Sequence, residues 1–224
     1  MIVNSHNDWD PLEEIIVGHA HHSRIATDIS ARSFSYANFL KEDVVKLEGT
    51  YPQWVIDEAN EDADGLAKAL EDLGVIVHRP KIIDWDKKNY DIGQGWNTKG
   101  WYSWCPRDLI LSLGDMLIET PTPVRARYFE TRLYEDIMYE AFEDGALWMS
   151  APKPKLHDDM YTFEDIENKP TLLNHEICFD APNIVRVGTD LLYQVSNSGN
   201  MKGFKWLKRL LEPMGYKLHY SELY

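Results

Sequence analysis

The chain has 224 residues, is 44% hydrophobic and 12% aromatic, and carries a formal net charge of −14 from 37 acidic and 23 basic residues. That length suffices for one large domain or two small ones with a sizeable core, and the acidic balance argues against a nucleic-acid or anionic-membrane surface, because neutralising phosphates takes a basic face. No apolar stretch approaches the roughly 20 residues of a membrane span, the opening Met-Ile-Val-Asn-Ser-His-Asn-Asp lacks the basic and apolar regions of a leader, and two cysteines do not make a disulfide framework, so the chain reads as cytoplasmic.

Asp10-Pro-Leu-Glu-Glu-Ile-Ile-Val-Gly18 opens a pattern of carboxylate, short apolar run and glycine. A long polar insert over 19–51 follows, where the second strand of a hairpin is expected. Val55, Ala59, Ala63, Leu66, Leu70 and Leu73 then recur every three or four residues, which predicts a helix with one apolar face. It ends at Gly74, before the strand-like Val-Ile-Val-His.

The same order returns twice. Cys105-Pro-Arg-Asp108 leads into apolar runs Leu109–Leu113 and Met116–Glu119, split by Gly114-Asp115. Phe129, Leu133, Ile137 and Ala141 then mark a helix that ends at Gly145. Cys178-Phe-Asp180 leads into Ile184–Val187 and Leu191–Val195 across Gly188-Thr-Asp190, and Phe204, Leu207, Leu211 and Met214 mark a helix that ends at Gly215. Gly-Asp and Gly-Thr-Asp between β-rich runs are hairpin signals. Gly74, Gly145 and Gly215 fit left-handed helix caps that lead into a strand. The unit is strand, turn, strand, helix, strand, about 70 residues long, and repeats of this kind need neighbours to bury their apolar faces. The three copies run approximately over 8–80, 105–152 and 178–221 of a single domain. Two loops, 81–104 and 151–176, precede the Asp-bearing strands and are expected at the same end as the carboxylates.

An Asp beside Pro or Asn at a strand entrance can simply cap a turn. Recurrence of Asp108 and Asp180 at one place in repeated units points instead to acids converging about an axis, where carboxylates can grip a planar guanidinium through its fork of donors. Cys178 reads as a packing thiol and Cys105 as partly exposed without an activating partner, so neither is nominated as a nucleophile. His19, His21 and His22, and His157-Asp158-Asp159, lack metal-ligand spacing and read as solvated loops; no metal is expected. Arg125 and Arg127 are expected to pair with Glu130 and neighbouring acids, a substrate carboxylate being the alternative. Trp96, Trp101 and Trp104 read as core or loop anchors.

Taken together, Asn7-Asp-Trp-Asp-Pro-Leu-Glu-Glu-Ile-Ile-Val-Gly18, Cys105-Pro-Arg-Asp108 with Gly114-Asp-Met-Leu-Ile-Glu119, Arg125-Ala-Arg-Tyr-Phe-Glu130, Ala151-Pro-Lys-Pro154 and Phe179-Asp180-Ala181 resemble the arginine-dependent amidinotransferases. These include glycine amidinotransferase and the bacterial enzymes that place guanidino groups on streptomycin, cylindrospermopsin and saxitoxin. The resemblance spans the chain and looks nearest to the cyanobacterial toxin-pathway members. It implies an α/β fold, a partial five-bladed α/β propeller of the pentein type with about three of five units present. It also implies transfer of the amidino group of L-arginine to an acceptor amine such as glycine, through a covalent amidino-cysteine, with a His as acid and base and no cofactor. On this template Asp180 is the catalytic Asp that partners the His, and Asp108 binds the donor guanidinium. In the family the His lies in a His-x-Asp motif soon after the third unit and the Cys in a Gly-rich Phe-His-Cys stretch near the C-terminus; the sequence stops at Tyr224, before both places. The chain is therefore expected to be part of a longer enzyme, inactive alone and a homodimer at full length. A guanidino hydrolase of the arginine deiminase kind, or a non-catalytic guanidine-binding or subunit-pairing module, are the alternatives.

Overall fold

A computed structural model describes residues 1–35 and 48–222 of the chain. The first part holds β1 (Glu14–Ile16), β2 (Arg24–Ile25), α1 (Ile29–Ser35), β3 (Gly49–Thr50), α2 (Gln53–Asp72) and β4 (Ile76–His78). A connecting loop carries the short hairpin of β5 (Tyr90–Asp91) and β6 (Asn97–Thr98). The middle part is β7 (Ile110–Leu113), β8 (Met116–Glu119), α3 (Glu135–Glu143) and β9 (Leu147–Ser150). The last is β10 (Ile184–Val187), β11 (Asp190–Val195), α4 (Met201–Leu211) and β12 (Lys217–Glu222). None of the helices among the described residues is long and apolar enough to cross a membrane.

Glycine sets the two tight hairpins. Leu113 pairs with Met116 and Val187 with Asp190, antiparallel, across turns whose first central residues, Gly114 and Gly188, have φ of 58° and 64°. A left-handed first position matches a turn whose twist suits the flanking strands. β9 then runs parallel to β8, and β12 parallel to β11, in two three-stranded sheets of equal order. Parallel neighbours need a crossover, which α3 and α4 supply. Gly74, Gly145 and Gly215 have φ of 87°, 103° and 94°, the left-handed conformation that ends each helix before its strand.

Side-chain alternation along β7 and β8 divides two cores. Leu111, Leu113, Met116 and Ile118 pack with Ile184, Leu191, Tyr193, Phe204 and Leu207 of the last unit. Ile110 and Leu117 face the other way, onto Leu133, Tyr134 and Met138, with Ile16 of the first unit at the margin. Each unit thus buries its sheet against the next, as a repeat that cannot fold alone must.

Three expectations change. β4 pairs parallel with β1, Ile15 opposite Val77, which is the relation β9 has to β8. β1 therefore occupies the middle-strand place. The first unit lacks, among the described residues, the leading strand of its hairpin rather than the second. Asp10 consequently does not stand where Asp108 and Asp180 stand; it is exposed and accepts a hydrogen bond from Asn7 Nδ2 at 2.9 Å. The polar insert contains α1 and the β2–β3 pair, and its residues 36–47 lie outside the described residues. Second, α2 is partly rotated from the expected face: Val55, Ala59, Ala63 and Leu70 are half-buried, but the fully buried positions are Ile56 and Ala67, and Leu66 and Leu73 are 54% and 82% exposed. A two-stranded sheet offers only a narrow surface for a helix to cover. Third, α3 starts only at Glu135, behind 3₁₀ turns at Arg125–Arg127 and Glu130–Leu133. Those turns bury a charged pair that a regular helix face would not enclose.

Asn200 ties the last unit together. Its Oδ1 accepts from Gly203 N at 3.0 Å, capping α4, and from Cys178 N at 3.3 Å; its Nδ2 donates to Leu173 O at 2.9 Å and Glu176 O at 2.8 Å. Asn200→Ala should cost about 2–4 kcal/mol, a lost cap plus buried polar groups left unpaired. Urea denaturation reads this directly, and a loss under about 0.5 kcal/mol, the range of ordinary surface changes, would show the cap to be dispensable.

Candidate functional site

Both carboxylates sit beside 3₁₀ turns with proline in the first two positions, Pro106 first in one and Pro182 second in the other. Pro106–Asp108 carries Asp108 as its last residue, and Asp180 stands immediately before Ala181–Asn183. Proline fits a first helical position because its missing N–H would be unpaired there anyway. The two turns pack against each other, so equivalent points of the middle and last units meet. Thr120 Oγ1 donates to Asp108 O at 2.9 Å and Asp180 N donates to Ser198 O at 2.9 Å, which fix both backbones.

The Asp180 side chain is buried, at 2% exposure, and neither oxygen has a hydrogen-bond partner of normal geometry among the described residues. Burial pushes its pKa up to about 7, against the lowering pull of Arg127 and with Asp108 raising it further; the nearby Thr122 hydroxyl lowers it slightly. Desolvation dominates here because the charge of Arg127 and the Thr122 hydroxyl offset only part of it.

Asp108 is held differently. Its Oδ2 accepts from Arg127 Nη1 at 2.5 Å. Arg127 is fully buried: Nε donates to Glu130 Oε2 at 2.7 Å, Nη2 to Glu130 Oε1 at 2.9 Å and to Cys105 O at 3.2 Å. The guanidinium lies 4.8 Å from the Tyr102 ring centroid. Burial alone would lower the Arg127 pKa, but Glu130 outweighs it and holds the group well above its ordinary value, a fixed cation. Arg127 thus bonds Asp108 through one carboxylate oxygen, and no described residue hydrogen-bonds the other.

Arg125 and Arg127 do pair with acids. Arg125 Nη2 donates to Asp158 Oδ1 at 2.7 Å and its Nε to Leu156 O at 2.9 Å, clamping the 151–176 loop. Trp96 Nε1 donates to Lys155 O at 2.7 Å, so the two long loops bind each other. Trp96 and Trp101 are buried anchors. Cys178 is buried and its thiol is pushed well up by desolvation; Cys105 is half-buried and burial, with Asp108 adding, raises it to about 11. Neither is a thiolate at neutral pH.

His19 departs from expectation. It is buried rather than solvated, with Nδ1 3.0 Å from Ser103 Oγ and Nε2 3.2 Å from Lys81 O, and burial lowers its pKa to about 4. A neutral ring there joins the end of β1 to the loop before Asp108. His21 and His22 are exposed. Among the described residues no group of His, Cys, Asp or Glu could hold a metal.

Sequence reasoning anticipated the Arg127–Glu130 pair but not its place at the centre of the cluster, nor the part of Tyr102. The available signal was Arg-x-x-Glu spaced by two aromatic residues, Tyr128 and Phe129.

No family model matches the sequence. Individual relatives do. Over 210 residues, 92% of this chain and 59% of the relative, it is 43% identical to inosamine-phosphate amidinotransferase 1 of Streptomyces griseus. It is 34% identical over 230 residues to the mitochondrial glycine amidinotransferase of Danio rerio, covering 97% of this chain and 54% of that one. Among solved structures, the Streptomyces griseus enzyme superposes with a TM-score of 0.86 at 40% identity, over 97% of this chain and 62% of that chain. The amidinotransferase of saxitoxin biosynthesis from Microseira wollei gives 0.86 at 34%, over 98% and 62%. A dimethylarginine dimethylaminohydrolase, at 0.56 and 14% identity, shares the α/β fold alone. The chain thus spans roughly three fifths of the length of the relatives it matches, and by sequence and fold it belongs to the amidinotransferase family.

Proposed function

We propose that this chain forms part of an enzyme that moves the amidino group of L-arginine to a small amine, with Asp180 as a catalytic carboxylate and Asp108 as a ligand of the donor guanidinium. The observation that carries the reading is the buried, unpartnered Asp180 carboxylate beside an Asp108 that Arg127 and Glu130 hold in place. A carboxyl whose pKa is brought near neutrality is suited to proton transfer with a positioned base. A second carboxylate with one oxygen uncommitted can accept from a guanidinium N–H. The names of the relatives, inosamine-phosphate and glycine amidinotransferase, support an amine as acceptor. The reading takes a covalent amidino-cysteine as the intermediate, yet the two cysteines present are both held as thiols. The nucleophile and the His that would work with Asp180 are assigned to sequence beyond these residues, and with them the rest of a five-unit ring and a homodimer.

Incubated with arginine and glycine, the 224-residue chain should release no ornithine, whereas a polypeptide that continues through the full family length should. Ornithine from the short chain would place the nucleophile within it. Citrulline from the long one would mark a hydrolase.

A further inference from the structure

A second site lies away from the carboxylates. A cleft of about 580 Å³ opens between the end of β9, the segment before Cys178 and helix α4. From α4 it takes Lys202, Lys205, Trp206 and Arg209, one stripe at helical spacing; Lys153 and Glu176 close the opposite side. Helix α4 contains no acidic residue.

The charges in this cleft are not neutralised. Glu176, its acidic residue, already accepts from Lys155 N at 3.0 Å and Leu156 N at 2.8 Å. Lys202 Nζ donates to a neutral carbonyl, His175 O, at 2.7 Å. Lys153 Nζ comes no closer than 3.9 Å to Glu119 Oε2. Lys205 and Arg209, one helical turn apart, have no hydrogen bond or ion pair among the described residues, although like charges at that spacing repel. Neighbouring Lys208, by contrast, has its own acid, Glu212 at 3.4 Å. In a protein of net charge −14, a concave surface with this excess of cations is suited to anions. Trp206 supplies an aromatic wall, its ring stacked 6.1 Å from that of Phe179. Phe179 and Asp180 are consecutive, and Phe179 turns into the core shared with α4 while Asp180 faces the cluster of Asp108 and Arg127. The cleft and the carboxylate site share no lining residue.

We propose that this cleft binds a compact polyanion, a small molecule bearing phosphate or several carboxylates, between Lys153 and the Lys202, Lys205 and Arg209 stripe, against Trp206. The volume falls in the range of about 300–1,000 Å³ usual for small-molecule sites. Two or more negative charges match the excess of cations, and a flat or apolar body suits Trp206.

The test uses the 224-residue chain with inorganic pyrophosphate and citrate as probes, by calorimetry and by tryptophan fluorescence. At least one should bind with one-to-one stoichiometry and change the emission. Binding of pyrophosphate alone marks a phosphate site, and binding of both a general polyanion site. Lys205→Gln/Arg209→Gln should weaken binding about tenfold or more, each charge-assisted contact being worth about 1 kcal/mol or above. Lys208→Gln, on the same helix outside the cleft, should leave affinity unchanged. Trp206→Phe should abolish the fluorescence change while calorimetric binding persists. Absence of binding for both probes at millimolar concentration, or equal loss in the Lys208 variant, overturns the proposal. So does uptake of an acidic peptide with no response to either probe. Unchanged circular dichroism of each variant separates lost binding from lost fold. Since the amidino-transfer reading concerns Asp180, ornithine assays are silent on this cleft.

Discussion

Asp180→Asn should melt higher than the parent chain at about pH 8, and the advantage should vanish near about pH 3. The folded-state pKa of Asp180 is raised from 3.8 to about 7. Between those values the folded protein keeps a proton that the unfolded chain has released. Stability therefore falls as pH rises through this window, and the whole penalty is in force above it. A three-unit shift corresponds to several kcal/mol at most, of which about 2–4 kcal/mol should be recovered by a neutral amide of the same shape. For a domain of this size each kcal/mol moves the melting temperature by about 2–4 °C. Glu130, also pushed up to about 7 by burial, keeps part of the slope, so the informative quantity is the difference between parent and variant across pH. In the full-length enzyme the same substitution should lower turnover by about 10²–10⁴-fold, because an amide cannot exchange the proton. Stability gained and activity lost together are the signature of a functional carboxylate. A pH-independent difference between the two proteins would mean that Asp180 keeps its ordinary carboxylate pKa when folded, and near-normal turnover would remove it from the site.

Arg127→Met should be among the costliest substitutions in the chain. It removes the partner of a Glu130 that is 1% exposed and leaves a buried carboxylate without compensation. Breaking such a pair from one side costs about 3–5 kcal/mol. Arg127→Met/Glu130→Leu, which removes both charges, should recover most of that loss, since desolvating two ions offsets much of their attraction. Urea denaturation of the two single variants and the double one closes a cycle whose coupling should be about 2–3 kcal/mol. A cost below about 1 kcal/mol for the single change would show that the pair does not organise this region. Asp108 should then also be released from its orientation, which predicts a higher KM for arginine in the full-length enzyme for even the double variant.

Much of the fold could be read locally. Gly114 and Gly188 between β-rich runs declared hairpins because a left-handed turn residue acts over four residues. Gly74, Gly145 and Gly215 declared helix ends for the same reason, and Leu207 and Leu211 marked the inward face of α4. The first unit escaped because Ile15 and Val77 are distant in sequence, and an apolar run does not state which neighbour it will pair with. The buried face of α2 was misjudged because Leu66 and Leu73 fit a helical period as well as Ile56 and Ala67 do; the width of the sheet beneath chose between them. The 3₁₀ turns before α3 were hidden too, since periodicity does not distinguish a helix from successive turns.

The site divides in the same way. Recurrence alone singled out Asp108 and Asp180, because equivalent positions of repeated units must come to equivalent places around the fold. Sequence could not say that Asp108 is tethered by Arg127 while Asp180 is bare, nor that His19 is a buried strut. Those properties come from desolvation and from partners supplied by other segments. What the amino-acid order determined was the repeat, its turns and the residues that meet; what only packing decided was how much water each meeting point keeps, and therefore which carboxyl holds its proton.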